Sequence, residues 1–206
     1  MTFEELNLAP AILKAVLEQG YDTPTPIQAQ AIPAVLAGGD LLGGAQTGTG
    51  KTAAFVLPML QRLSTEPRLQ NRRDVHAVRA IIMTTTRALA AQVDESVRTY
   101  GKYLELSSMV MFGGVGMGAQ IEKLRRGVDI LVATPGRLLD HAGQGTLDLS
   151  QVQILVLAEA ERMLAMGFIH DSTKVLALVP TQTQSLRLRA PCSPDTGALP
   201  TRLPTH

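Results

Sequence analysis

Apolar and polar residues along the chain follow two rhythms. Pro10, followed by Ile12, Leu13, Val16 and Leu17 and closed by Gly20, has the spacing of an amphipathic helix that opens on proline. A second helix is predicted to start at Pro26. Between further helical stretches stand short apolar runs without strict alternation: Leu41–Gly43, Ala80–Met83, Met109–Phe112, Ile130–Ala133 and Ile154–Leu157. Such runs suit strands buried on both faces, and the helices between them supply the crossovers that parallel pairing requires. The predicted fold class is α/β: a doubly wound, mostly parallel sheet flanked by helices. Ligands of such sheets gather beyond the carboxyl ends of the strands. The rhythm fails near Ser185, after which Arg187, Arg189, Pro191, Pro194, Pro200 and Pro204 punctuate a stretch with no evident apolar face. The expectation is one domain over residues 1–185 and a divergent, disordered tail over 186–206.

Composition narrows this picture. A chain of 206 residues that is 45% apolar supports one well-buried core. Its net charge of +1 gives no general attraction to nucleic acid, so any such contact must come from locally placed amides, hydroxyls and arginines. The single cysteine, Cys192, precludes an internal disulfide framework, and no paired Cys/His spacing suggests structural zinc. No apolar run is long enough to cross a bilayer, and Met1 to Pro10 lacks the pattern of a secretion signal. The expected setting is the reducing cytoplasm, away from membranes.

The strongest chemical signal is Ala45-Gln46-Thr47-Gly48-Thr49-Gly50-Lys51-Thr52, between a predicted strand and the apolar helix that carries Ala53, Ala54, Phe55 and Leu57. It matches a phosphate-binding loop. Gly48 and Gly50 let the backbone curl so that successive N–H groups face a polyphosphate, and the helix N-terminus adds partial positive charge. Lys51 would reach the β- and γ-phosphates, and the Thr52 hydroxyl would hold Mg²⁺. Ala45 stands where the general pattern has glycine, a small residue for a small residue.

Around this loop the chain resembles the N-terminal, RecA-like lobe of DEAD-box ATP-dependent RNA helicases. Gly20-Tyr21-Asp22-Thr23-Pro24-Thr25-Pro26-Ile27-Gln28, with Phe3 upstream, resembles the family's adenine-reading Q motif, within about residues 1–30. Thr86-Arg87, Phe112-Gly113-Gly114, Thr134-Pro135-Gly136-Arg137-Leu138 and Met163-Leu164-Ala165-Met166-Gly167-Phe168 follow in the family's order. The resemblance covers roughly residues 1 to 184 and is strongest to the bacterial RhlE-type branch.

This resemblance implies ATP and Mg²⁺ as cofactors and RNA as partner. Gln28 would hydrogen-bond the adenine edge, since an amide offers the donor and acceptor that match N6 and N7 and oppose guanine. Tyr21 is either a base-stacking ring or a core aromatic. Phe3, Tyr21, Gln28 and residues Ala45 to Thr52 form the implied nucleotide site. Thr86, Arg87, Gly113, Gly114, Thr134, Pro135, Gly136 and Arg137 are implied to grip the RNA sugar-phosphate backbone without reading bases. Taken singly, the Gly-Gly and Thr-Pro-Gly segments read as ordinary turns.

Departures from the family pattern bear on turnover. Ala158-Glu159-Ala160-Glu161 stands in place of Asp-Glu-Ala-Asp. Ala158 removes a carboxylate that would help hold Mg²⁺, whereas Glu159 survives where the family activates the attacking water; Glu159 and Lys51 are the implied catalytic residues. Thr85, Ala88 and Ala165 replace a proline, a glutamate and an aspartate of the family. After Ser185 no Ser-Ala-Thr motif follows and no second lobe, which suggests a truncated or frameshifted helicase. The expectation is impaired hydrolysis, with a helicase C-terminal lobe acting in trans as a possible partner.

Overall fold

The computed structural model describes residues 1–43, 49–66, 77–158 and 167–188. Its elements, in chain order, are a 3₁₀ turn (Phe3–Leu6), α1 (Pro10–Glu18), α2 (Pro26–Leu36), β1 (Leu41–Gly43), α3 (Thr49–Thr65), β2 (Ala80–Met83), α4 (Arg87–Tyr100), β3 (Ser108–Met111), α5 (Met117–Arg125), β4 (Ile130–Ala133), α6 (Pro135–Gly143), β5 (Ile154–Ala158), α7 (Ile169–Leu178) and β6 (Gln184–Leu188). Helix starts follow local chemistry. Thr25 caps α2 by accepting from the Gln28 N–H, Pro26 takes the first turn, and Thr86 caps α4 by accepting from the Leu89 N–H.

All strand pairs are parallel, in the order β1-β6-β5-β2-β4-β3. The inner strands are buried on both faces, and successive residues serve opposite layers. Ile82, Val132, Val156 and Leu186 join the layer under α1 to α4, with Ile12, Ile32, Val56 and Val93. Ile81, Leu131 and Leu155 join the layer under α5 to α7, with Leu124, Leu138 and Val175. Each such side chain contributes about 1.5–3 kcal/mol on burial, which is why near-continuous apolar runs mark these strands. Because every strand runs the same way, all carboxyl ends reach one edge, with those of β1, β6 and β5 on one half and those of β2, β4 and β3 on the other.

One boundary is corrected. Residues 186–188, expected to be disordered, complete the sixth strand, with Leu186 between Leu41 of β1 and Val156 of β5. The apolar face was too short to see from sequence: Leu186 and Leu188 alternate with Ser185 and Arg187. Side-chain anchors hold the start of the strand. The Gln184 amide donates to the carbonyls of Val35 and Gly39 at 2.9 and 2.8 Å, and Asp40 accepts from the Ser185 N–H at 2.9 Å. Burial pulls the Arg187 guanidinium pKa down. Residues 189–206, the rest of the expected tail, lie outside the described residues.

Candidate functional site

On the nucleotide half, Ala45, Gln46, Thr47 and Gly48 lie outside the described residues, and α3 begins at Thr49. Its first turn carries Gly50 and Lys51, both half-buried, and Thr52, which is buried. Gln28 ties this turn to α2. Its Nε2 donates to the Gly50 carbonyl at 3.2 Å and its Oε1 accepts from the Thr25 N–H at 3.0 Å. An amide has two N–H donors and two lone pairs, so one of each is spent on the fold and one of each is left over. A side chain at Gly50 would begin 3.4 Å from the Thr25 methyl, so a small residue suits this close approach. Tyr21 is 46% exposed, which removes the core-aromatic alternative. Phe3 is 2% exposed and sits in the core with Leu6, while its N–H donates to the Asp22 carbonyl and pins the start of the chain beside Tyr21.

For a metal, the described residues fit poorly. Thr52 offers a hydroxyl, but β5 ends in Ala158, whose methyl is buried in the core. Among the described residues no group of three or more His, Cys, Asp or Glu could hold an ion. Glu159, Ala160, Glu161 and Met163 to Met166 lie outside the described residues.

On the other half, three neighbouring strands hand over to turns that meet. Beyond β2, Thr86 caps α4 and exposed Arg87 donates from Nη2 to the Gly113 carbonyl at 2.7 Å. Beyond β3, buried Phe112 leads into exposed Gly113 and Gly114. Gly114 has φ +84°, a conformation that favours glycine, and a Cβ there would come within 2.9 Å of Arg87 Nη2 and displace that guanidinium. Beyond β4, Thr134 donates its N–H to the Met111 carbonyl, Pro135 is buried in the first turn of α6, and half-buried Arg137 reaches the same glycines. A Cβ on Gly113 would lie 3.9 Å from Arg137 Nη2. Arg137 Nη1 is 3.7 Å from Met117 Sδ, and its buried Nε has no hydrogen-bond partner. Gly136 faces α7, where Asp171 Oδ2 would be 3.8 Å from a Cβ.

Thr86, Arg87, Gly113, Gly114, Thr134 and Arg137 are thus brought to one stretch of the edge, with two guanidinium groups flanking a glycine turn. That arrangement presents cationic and backbone donors suited to an anionic chain. Sequence reasoning missed Gln120 and His141, which stand behind the turn on α5 and α6. The available signal was an amide six positions past Gly114 and a histidine four past Arg137, each on the helix that leaves a motif turn.

A family model described as DEAD/DEAH box helicase matches residues 25–193. The chain belongs to the DEAD/DEAH box helicase family. Among relatives in this family, the ATP-dependent RNA helicase DeaD of Mycobacterium tuberculosis is 44% identical over 184 residues, covering 89% of this chain and 31% of the relative. DeaD of Escherichia coli is 45% identical over 185 residues, 89% of this chain and 28% of its own. The DEAD-box ATP-dependent RNA helicase CshA of Bacillus subtilis is 41% identical over 191 residues, 92% of this chain and 37% of its own. The crystal structure of a DEAD box protein from the hyperthermophile Methanococcus jannaschii superposes with a TM-score of 0.82 at 36% identity, covering 94% of this chain and 51% of that one. The RecA-like α/β fold is therefore that of the family's N-terminal domain, and the chain spans about a third of the length of its curated relatives. Among the described residues no helix is long and apolar enough to cross a membrane.

Proposed function

We propose that this chain binds ATP beyond β1 and the backbone of single-stranded RNA beyond β2, β4 and β3, as the N-terminal lobe of an RNA helicase, and that its ATP turnover is impaired. The observation that carries the reading is the gathering of both residue sets on one carboxyl edge. Gln28 keeps one donor and one lone pair, which would meet the N6 and N7 edge of adenine and select ATP over GTP, and exposed Tyr21 would stack on the base. Lys51 and the N–H groups opening α3 would meet the phosphates. Arg87 and Arg137 would hold RNA phosphates through their guanidinium groups, and Gly113 and Gly114 through the backbone of the turn. Contacts of this kind do not read sequence.

Mg²⁺, when bound, would neutralise phosphate charge. Thr52 would be one ligand, and Ala158 leaves the carboxylate ligand of the family unsupplied. Glu159 would orient water, but weak metal placement would slow the step it serves. Ala158 is the specific observation that favours a second reading, a non-catalytic module that binds ATP and RNA without turnover. A helicase C-terminal lobe in trans is the partner that would complete the cleft, and the cytoplasm is the compartment where the relatives' substrate class is found. Placement in the RhlE-type branch rests on the motif series alone.

The test measures ATP binding and RNA-stimulated hydrolysis for this chain and for Ala158→Asp, each alone and with a helicase C-terminal lobe added. The expected result is ATP binding by both chains, with appreciable hydrolysis only by Ala158→Asp plus the added lobe. Robust turnover by the unmodified chain alone overturns the impaired reading, and absence of ATP binding overturns the proposal.

A further inference from the structure

Behind the Gly113–Gly114 turn runs a buried chain of polar groups that the nucleotide and RNA residues above do not include. Gln120 on α5 donates from Nε2 to the Phe112 carbonyl at 3.0 Å. Its Oε1 lies 2.8 Å from Nε2 of His141 on α6, and His141 Nδ1 lies 2.9 Å from the Thr146 hydroxyl. Gln120 is 4% exposed and His141 fully buried. Burying an amide and an imidazole is costly unless each polar atom is bonded, and here each is.

Hydrogen-bond polarity fixes the order of the chain. A carbonyl can only accept, so the Gln120 NH₂ faces Phe112 and its oxygen faces His141. That oxygen needs a donor, which places a proton on His141 Nε2; Nδ1 then accepts when the Thr146 hydroxyl turns its one proton to the ring rather than to the His141 carbonyl 3.0 Å away. The neutral ring suffices for this arrangement. Burial, with Arg137 adding to it against Asp140, pushes the ring pKa below its ordinary value.

The consequence lies one peptide further on. In a planar trans peptide the carbonyl and the following N–H point in opposite directions. A Phe112 carbonyl held inward by Gln120 therefore aims the Gly113 N–H outward. The next carbonyl, that of Gly113, is held by Arg87. Both peptide planes of the turn are pinned, one from the core and one from the surface. Two adjacent glycines have the greatest backbone freedom and no side chains of their own to restrain it, so the restraint must come from such outside partners.

We infer that Gln120, oriented by His141, is a positioning residue that holds the Gly113–Gly114 turn with the Gly113 N–H facing an RNA phosphate. The inference rests on reading this half of the edge as the RNA side.

The test uses the whole 206-residue chain. Gln120→Glu keeps an acceptor toward His141, removes the amide donor to Phe112 and sets a carboxylate oxygen against that carbonyl. It is expected to raise the Kd for an unstructured oligo-uridine, followed by fluorescence anisotropy, about fivefold to tenfold, while the Kd for a fluorescent ATP analogue stays within about twofold. His141→Phe should act in the same direction more weakly, and His141→Gln, which restores a donor, should recover most of the affinity. If Gln120→Glu binds oligo-uridine as the unmodified chain does while Arg87→Ala binds it weakly, the inference falls and the RNA reading stands. If neither substitution changes affinity, or the unmodified chain has none, the RNA reading falls and the inference with it. Loss of ATP and RNA affinity together, in step with a lower Tm, makes Gln120 a packing residue and overturns the inference. Should Gln120→Glu not fold, Gln120→Met removes the same donor without a buried charge. In the unmodified chain labelled with ¹⁵N-glycine, the Gly113 and Gly114 amide resonances should move on adding oligo-uridine; stationary resonances overturn the inference.

Discussion

Under the proposed function, one half of the carboxyl edge serves nucleotide and the other RNA, and the two present their ligand-facing groups in different ways. On the nucleotide half, side chains of particular identity do the recognising: Gln28 has a free donor and acceptor left after tying α2 to Gly50, and Ala158 shows how one replacement empties a position of its oxygen. On the RNA half, recognition falls to backbone N–H groups and guanidiniums whose aim is set by neighbours, Arg87 by the Gly113 carbonyl and the turn by Gln120. The difference teaches where each half is vulnerable. A specific side chain fails by its own substitution; an aimed backbone fails through whatever aims it. The departures from the family pattern fit this division. Thr85 and Ala88 flank Thr86 and Arg87 and leave both of those residues in place, whereas Ala158 lacks the family's carboxylate.

Both halves stand on one sheet, so the largest expected effect is a loss that does not distinguish them. Leu186→Asp puts a carboxylate at a fully buried position in β6 and should cost about 4 kcal/mol or more in urea denaturation, abolishing both ATP and RNA binding. Retention of either activity by that variant would show the halves to be separable. Gln28→Ala should raise the Kd for ATP about tenfold and leave oligo-uridine binding unchanged, because it deletes the adenine-facing amide along with half of a capping box. An equal loss on RNA would erase the distinction drawn here. Arg87→Ala should do the reverse, weakening RNA about fivefold, leaving ATP alone, and flattening the log–log salt dependence by about 0.7, the share of one phosphate contact on a single strand. A salt slope that does not change would mean that Arg87 meets no phosphate.

The smallest effect sharpens the comparison by pH. His141 is buried with its pKa pushed below the ordinary 6.5, so the unfolded chain takes up a proton on this residue more readily than the folded one. The stability penalty is absent above about pH 6.5, grows as pH falls through that value, and levels off below the folded pKa. Melting temperatures measured from pH 7.5 to 5 should therefore fall more steeply for the parent than for His141→Gln, by a few degrees at most. Since His141 backs the Gly113–Gly114 turn, RNA affinity should weaken over the same range before ATP affinity does.

Much of this fold was legible because its strands are buried on both faces. Ala80–Met83 and Ile130–Ala133 have the bounds expected from their apolar runs, and β3 is displaced by one residue, Ser108–Met111 for Met109–Phe112. What escaped was β6, where only Leu186 and Leu188 mark the period of two, and where the decisive anchors come from Asp40, Val35 and Gly39, some 145 residues or more away in sequence. Strand order escaped for the same reason, being set by long-range pairing that no local pattern encodes. In the candidate site, the motif residues stood out by type and spacing, but the groups that hold them did not. Gln120 and His141 look like ordinary helix residues until α5 and α6 are packed side by side behind the turn.

Strand β6 lies between β1 and β5, the strands whose carboxyl ends precede Gly44 and Glu159 in the sequence. Neighbouring strands are roughly 4.8 Å apart, so a single intervening strand holds the two bordering ones about 10 Å from each other. In this respect β6 is a shim. Its thickness is that of a backbone and hardly depends on which residues compose it, provided that Leu186 and Leu188 keep it seated. A sequence can therefore wander a long way along this strand without altering the gauge of the cleft mouth, and the dimension that a nucleotide would meet is kept by geometry even where the chemistry along its walls has changed.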